Sequence, residues 1–203
     1  MLFFGKTKAP FFERIKGIFL LNISFIITCI PIISIGASIT ALYSVLFNLQ
    51  EDTNMLKAYI DRFKRNFKES TIIWAIILIF AVIVYLDYAL LGYLSTSFWV
   101  VSIVLYIDVY LVVGVSTYAF GLISMFRNTI KQTLKNALIF CLSMPIKTIY
   151  MVMVTMVPII LILVDMSILP VVIVFWALFG IEISAEINAK LLKDIFASFP
   201  LEE

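Results

Sequence analysis

Five long apolar runs divide the chain, at residues 17–49, 71–94, 98–126, 137–164 and 167–187, with short polar or charged stretches between them. None alternates with the period of two that marks a half-buried strand. A bilayer core takes about 20 apolar helical residues, more when the helix tilts, so each of the last four runs predicts one crossing. The first run is long for one crossing and short for two. Near its middle it carries Pro31, Ser34 and Gly36, residue types that break or bend a helix. It is expected to fold as a helical hairpin turning at 31–36, either as two short crossings or as a re-entrant loop; one long kinked helix is the alternative.

Residues 53–69 read differently. Leu56, Tyr59, Ile60, Phe63 and Phe67 recur at helical spacing, while Lys57, Asp61, Arg62, Lys64, Arg65 and Lys68 fill the other face. The pattern predicts a short amphipathic helix at the interface. Its basic face, Lys57, Arg62, Lys64, Arg65 and Lys68, would meet anionic headgroups or a soluble partner, and its aromatic face would enter the acyl boundary or pack on the bundle. The expected fold is therefore all-α, a polytopic transmembrane helical bundle with an N-terminal hairpin and this interfacial helix, forming one domain over residues 1–203.

Composition agrees with that picture. Of 203 residues, 63% are hydrophobic and 14% charged, against roughly half and a quarter in a soluble domain. A net charge of +2 gives no reason to expect nucleic acid. Basic residues gather at the N-terminus, at 57–68, at 127–135 and at Lys190 and Lys193, whereas 94–98 and 164–167 have none. By the positive-inside tendency, both termini are expected in the cytoplasm. A cleaved signal peptide is not expected, because the first apolar run continues past the small residues 37–41. Cys29 and Cys141 sit inside apolar runs and are expected to pack as small hydrophobes, not as a disulfide.

Ionisable groups within the apolar runs are candidate functional sites, since a charge at mid-membrane needs a partner, a wet cavity or a role. Asp108 and Lys147 each lie about 10 residues into a run and are a candidate intramembrane pair. Two readings stand: a register-fixing salt bridge, or a substrate-binding pair. Glu182 and Glu186 share one helix face and are either solvated at a cytoplasmic end or a contact for a cation or partner. Asn22 is expected to hydrogen-bond between helices. Pro31, Ser34 and Gly36 mark a helix break that offers carbonyls to an ion; alternatively Gly36, Ala37, Ser38 and Ala41 are a close-packing surface. Asp87 lies near an outer end where solvent reaches, and Tyr85, Tyr88, Tyr93, Phe98 and Trp99 are expected to form an interfacial belt.

Two motifs carry a resemblance. Residues 31–43, Pro-Ile-Ile-Ser-Ile-Gly-Ala-Ser-Ile-Thr-Ala-Leu-Tyr, and residues 63–68, Phe-Lys-Arg-Asn-Phe-Lys, leading into a span with Trp74, resemble the YesL-like bacterial membrane proteins. That family has no assigned biochemical function. Its members often occur beside carbohydrate-uptake transporters, so the resemblance implies the plasma membrane of a bacterial cell and a role in carbohydrate utilisation.

The chain has no histidine, Walker motif, metal-ligand cluster or nucleophile with a base, and no cofactor and no enzymatic activity are expected. The leading expectation is a non-catalytic accessory or regulatory protein, with membrane lipid and carbohydrate-transporter subunits as partners. The alternatives are a small self-sufficient channel or transporter, which would work as a homo-oligomer, and a permease subunit of an ATP-driven importer.

Overall fold

A computed structural model describes residues 11–48, 54–93 and 98–198, with side chains placed for residues 16–48, 54–90 and 99–198. Leu49, the start of the 53–69 segment, the 94–97 connection and the side chains of Tyr93 and Phe98 lie outside the described residues.

Every regular element among the described residues is helical. In chain order they are α1 (Phe11–Cys29), a 3-10 turn (Ile32–Ser34), α2 (Ile35–Phe47), α3 (Met55–Tyr93), α4 (Phe98–Met125), α5 (Ile130–Ser143) and α6 (Pro145–Val164). A second 3-10 turn (Met166–Ile168), α7 (Leu169–Phe175), a π-helical turn (Trp176–Gly180) and α8 (Ile181–Ser198) complete the described residues. Among the described residues, four stretches are long and apolar enough to cross a membrane: Met55–Leu90, Trp99–Met125, Pro145–Val164 and Met166–Ser198. Large apolar side chains lie open on the outside, Ile79, Phe80, Tyr106, Ile146, Leu163 and Val164 among them. Only lipid can solvate such a surface.

The bundle is organised around its shortest early helix. Every residue of α2 except Ile35 and Ile39 is buried, against α3, α4, α8 and α1. With 13 residues α2 rises about 20 Å, short of the roughly 30 Å hydrocarbon core, so it does not complete a crossing as a straight helix. A Cβ at Gly36 would fall 2.7 Å from the Ser70 carbonyl oxygen and 2.7 Å from Trp74 Cβ, which shows how closely α2 lies on α3. Ala37, Ser38 and Ala41 are fully buried beside it. The small residues thus serve helix packing, which in lipid replaces the drive that water would supply.

Three boundaries differ from the sequence expectation. The segment at 53–69 and the span at 71–94 are not separate: α3 is continuous from Met55 to Tyr93. No glycine or proline interrupts it before Gly92, and its buried residues Tyr59, Asn66, Ser70, Ile73 and Ile77 form one stripe at steps of seven, four, three and four. That stripe crosses the polar-to-apolar change without a break. The run at 137–164 is two helices. Met144 leaves helical geometry at φ −122°, ψ 58°, because the residue before a proline is pushed out of the α region and Pro145 has no N–H to give. α5 also begins inside the 127–135 stretch, where a capping box joins Thr129 and Gln132: the Gln132 N–H donates to Thr129 Oγ1 at 3.3 Å and the Thr129 N–H to Gln132 Oε1 at 3.1 Å. Finally, the run at 167–187 contains the π turn and continues to Ser198.

One end of the bundle is held by aromatic packing. Phe196 of α8 lies 5.7 Å from Phe126 and 5.6 Å from Phe140, centroid to centroid, and Phe140 stacks on Tyr118 at 5.9 Å.

Candidate functional site

The π turn and the residue that completes it define the polar interior. A π turn inserts one extra residue into a helix, replacing an i→i+4 bond by i→i+5. Here the Ile181 N–H donates to the Trp176 carbonyl. Asn22 of α1 bridges a neighbouring carbonyl and N–H that are four residues apart: its Nδ2 donates to the Leu178 carbonyl at 2.9 Å and its Oδ1 accepts from the Glu182 N–H at 3.1 Å. The two ends of one amide thus stand in for one missing helical bond. Asn22 is fully buried, as that role requires.

Glu182 and Glu186 follow on α8, both buried, at 3% and 4% exposure. Of the two readings of this pair, solvation at a cytoplasmic end does not fit side chains this buried. Glu186 Oε1 lies 2.7 Å from Lys190 Nζ, one turn on, and the lysine, about half exposed, carries its head outward. Glu186 Oε2 is buried with no hydrogen-bond donor.

Two residues further, Asn188 faces a different space. Its Nδ2 donates to Thr155 Oγ1 at 2.9 Å, and Thr155 gives its own proton to the Met151 carbonyl at 2.9 Å. Thr155 must therefore accept, which directs the Asn188 Oδ1 away from it. That oxygen is buried and receives no hydrogen bond. Asn188 lines a cavity of about 260 Å³ between α1, α2, α4, α6, the π turn and α8, with Tyr43, Ser116, Thr117, Thr155 and Ser184 as its other polar walls. Phe25, Phe120 and Trp176 supply aromatic surface, and among the described residues no charged side chain lines it.

The helix break at Pro31–Gly36 is already satisfied. The Ser34 hydroxyl lies 2.6 Å from the Thr28 carbonyl and 2.7 Å from the Pro31 carbonyl, and Trp74 Nε1 donates to the Ile32 carbonyl at 2.8 Å. Thr28, Ser38 and Tyr59 join their hydroxyls beside it, at 2.6 and 2.9 Å. Side chains of this chain occupy the carbonyls that an ion would use.

Asp108 and Lys147 are not brought together. Asp108 lines a small crevice with Val84, Tyr88, Val101 and Leu105, between α3 and α4. Lys147 stands in the first turn of α6, beside Thr148, whose hydroxyl meets Tyr118 at 3.1 Å. Gly114 and Tyr118 are the α4 residues seen against Thr148, and the nearer of them in sequence to Asp108, Gly114, lies six residues from it, about 9 Å along the axis. No ion pair among the described residues links the two.

On α3, Lys57, Lys64, Arg65 and Lys68 are exposed and Arg62 is partly buried, while Tyr59 is fully buried and Phe63 packs on the core. Tyr85, Asp87, Tyr88 and Trp99 are all exposed toward the α3–α4 connection. Cys29 and Cys141 are free thiols.

The residues that sequence reasoning passed over are Trp176, Thr155, Thr117 and Tyr43. Their common signal is slight: polar side chains at 116–117, 155, 184 and 188, on three different helices, which only the packing of those helices brings together. Comparison with known proteins reaches the first part of this architecture only. No curated protein and no solved structure matches the chain. Residues 18–88, which cover the hairpin and nearly all of α3, match the model of a family described as proteins of unknown function, DUF624.

Proposed function

We propose that this chain is a non-catalytic accessory or regulatory protein of the bacterial plasma membrane, with both termini cytoplasmic, that docks a partner through the basic face of α3. The observation that carries the reading is the way α3 is mounted. Tyr59, Asn66, Ser70 and Ile73 fasten its first half to the hairpin, and Lys57, Lys64, Arg65 and Lys68 stay exposed on a helix that continues into a span. A basic strip held at fixed register on a rigid helix suits recognition of an acidic surface better than a loose interfacial anchor would. The identity of the partner as subunits of a carbohydrate transporter rests on the resemblance of residues 31–43 and 63–68 alone.

The test is purification of the tagged chain from native membranes in mild detergent, with mass spectrometry of what accompanies it. Stoichiometric transporter subunits, lost in the K64E/R65E/K68E variant, are expected. Recovery of the chain alone, or a partner indifferent to the charge reversal, refutes docking through α3. A second reading, a self-sufficient channel or transporter, is favoured by the polar cavity between α2, α4, α6 and α8; solute flux through proteoliposomes containing only this chain would support it.

A further inference from the structure

We propose that the cavity around Asn188 is a binding site for a small neutral molecule that donates a hydrogen bond, reached from the lipid phase. Three observations converge on it. The first is the orphan acceptor: Asn188 is 2% exposed, its Nδ2 is committed to Thr155, and its Oδ1 has no donor. Buried polar atoms are nearly always paired; the Tyr43 hydroxyl interacts with the Asn188 and Thr117 side chains yet leaves this oxygen bare, so a donor from outside the chain is called for.

The second is the space beside it. The cavity measures about 260 Å³, well above the roughly 150 Å³ that accommodates benzene. Its walls hold hydroxyls, one amide and aromatic rings, with no side chain to balance a charge, so they suit a neutral ligand with an apolar body. Phe25, Pro158 and Trp176 on its rim are only partly buried, on helix faces that also present apolar residues outward. A ligand dissolved in the bilayer enters there without crossing a charged surface.

The third is the π turn. Ile181, Ser184, Ala185 and Asn188 line the cavity at the ordinary spacing of one α-helical face. The bond from the Ile181 N–H to the Trp176 carbonyl sets Trp176 one wide turn before Ile181, and its ring covers Gly180, where a Cβ would come within 2.7 Å of it. The inserted residue brings a tryptophan onto the wall that carries Asn188. Single π turns are often found at functional sites, and this one shapes a cavity with an unfilled acceptor.

The site is tested with indole, which carries one N–H on an apolar ring system, against benzofuran, the same shape with no donor. The full chain is placed in lipid nanodiscs, and binding is measured by equilibrium dialysis with empty nanodiscs subtracted. Saturable binding of indole at one site per chain is expected, with benzofuran about tenfold weaker or more, the discrimination set by one buried hydrogen bond. Asn188→Leu should bring the two ligands to similar affinity. Ser116→Trp, which fills the cavity from a partly buried wall, should exclude both and serves if Asn188→Leu does not fold. No saturable binding of indole means that the space holds only water and overturns the proposal. Equal or stronger binding of benzofuran overturns the role of Asn188.

Discussion

Replacing Asn22 with leucine tests the most specific interaction in the bundle. The side chains are similar in size, and Asn22 is fully buried, so the change removes two hydrogen bonds while leaving the packing nearly filled. It deprives the Leu178 carbonyl and the Glu182 N–H of their partner. Interhelical side-chain hydrogen bonds in membrane proteins average about 0.6 kcal/mol each, which sets a floor of about 1.2 kcal/mol for the pair. Two buried backbone groups left bare cost about 1–3 kcal/mol apiece, which sets a ceiling of about 6 kcal/mol. The expected loss lies between, at about 2–4 kcal/mol. The assay is reversible unfolding in mixed micelles, titrated with dodecyl sulfate. A second variant separates the bond from general damage: deleting Phe179 removes the inserted residue and restores an ordinary helical register, so Asn22→Leu should cost less on that background. A loss under about 0.5 kcal/mol for Asn22→Leu, within the range of an uninvolved site, would refute the reasoning; so would an equal loss on both backgrounds.

Gly36→Ala should destabilise by about 1–3 kcal/mol, because the new methyl meets the Ser70 backbone oxygen and cannot displace it. In the same unfolding assay Gly121→Ala should cost less, since there the obstacle is the flexible end of Leu192. Asp108→Asn and Lys147→Met should be additive within about 0.5 kcal/mol in a double-mutant cycle, as expected of side chains that share no contact; a larger coupling would restore the buried pair. Asp165, exposed between α6 and α7, is held below the usual carboxylate range by the Ser167 hydroxyl and then the Ser167 N–H, at 2.6 and 2.9 Å. A depressed folded-state pKa contributes stability above the unfolded value, near 3.9, that is lost as pH falls through the lower folded value. Ser167→Ala should move the Asp165 titration upward by carboxyl-carbon NMR, and no movement would exclude the hydroxyl as its cause.

Much of this architecture is legible without coordinates, for a plain reason: in lipid every backbone group must be paired within the chain, so long apolar runs dictate helices. The runs at 71–94 and 98–126 became parts of α3 and α4 on that rule. The break near Pro31 was legible too, because proline and serine interrupt a helix through their own chemistry. Local sequence could also have revealed the end of α5, since Pro145 forces Met144 out of the helix. Other features depended on contacts between distant segments. The continuity of α3 across residues 69–71 follows from the stripe it buries against α2, and a change of composition alone does not show a break. Asp108 and Lys147 stand at similar depths by counting, yet depth says nothing of azimuth, and packing turned Asp108 toward α3. The π turn is the strongest case. Nothing in Trp176–Gly180 excludes an ordinary helix; in the folded bundle that register is matched by an amide more than 150 residues away in sequence. By itself the sequence determined helices and their solvent, because those depend on local chemistry and on lipid. Tertiary structure decided which helix faces meet, and with them the placement of Asn22, Glu186 and Asn188, because a buried polar group takes its meaning from the partner that packing supplies.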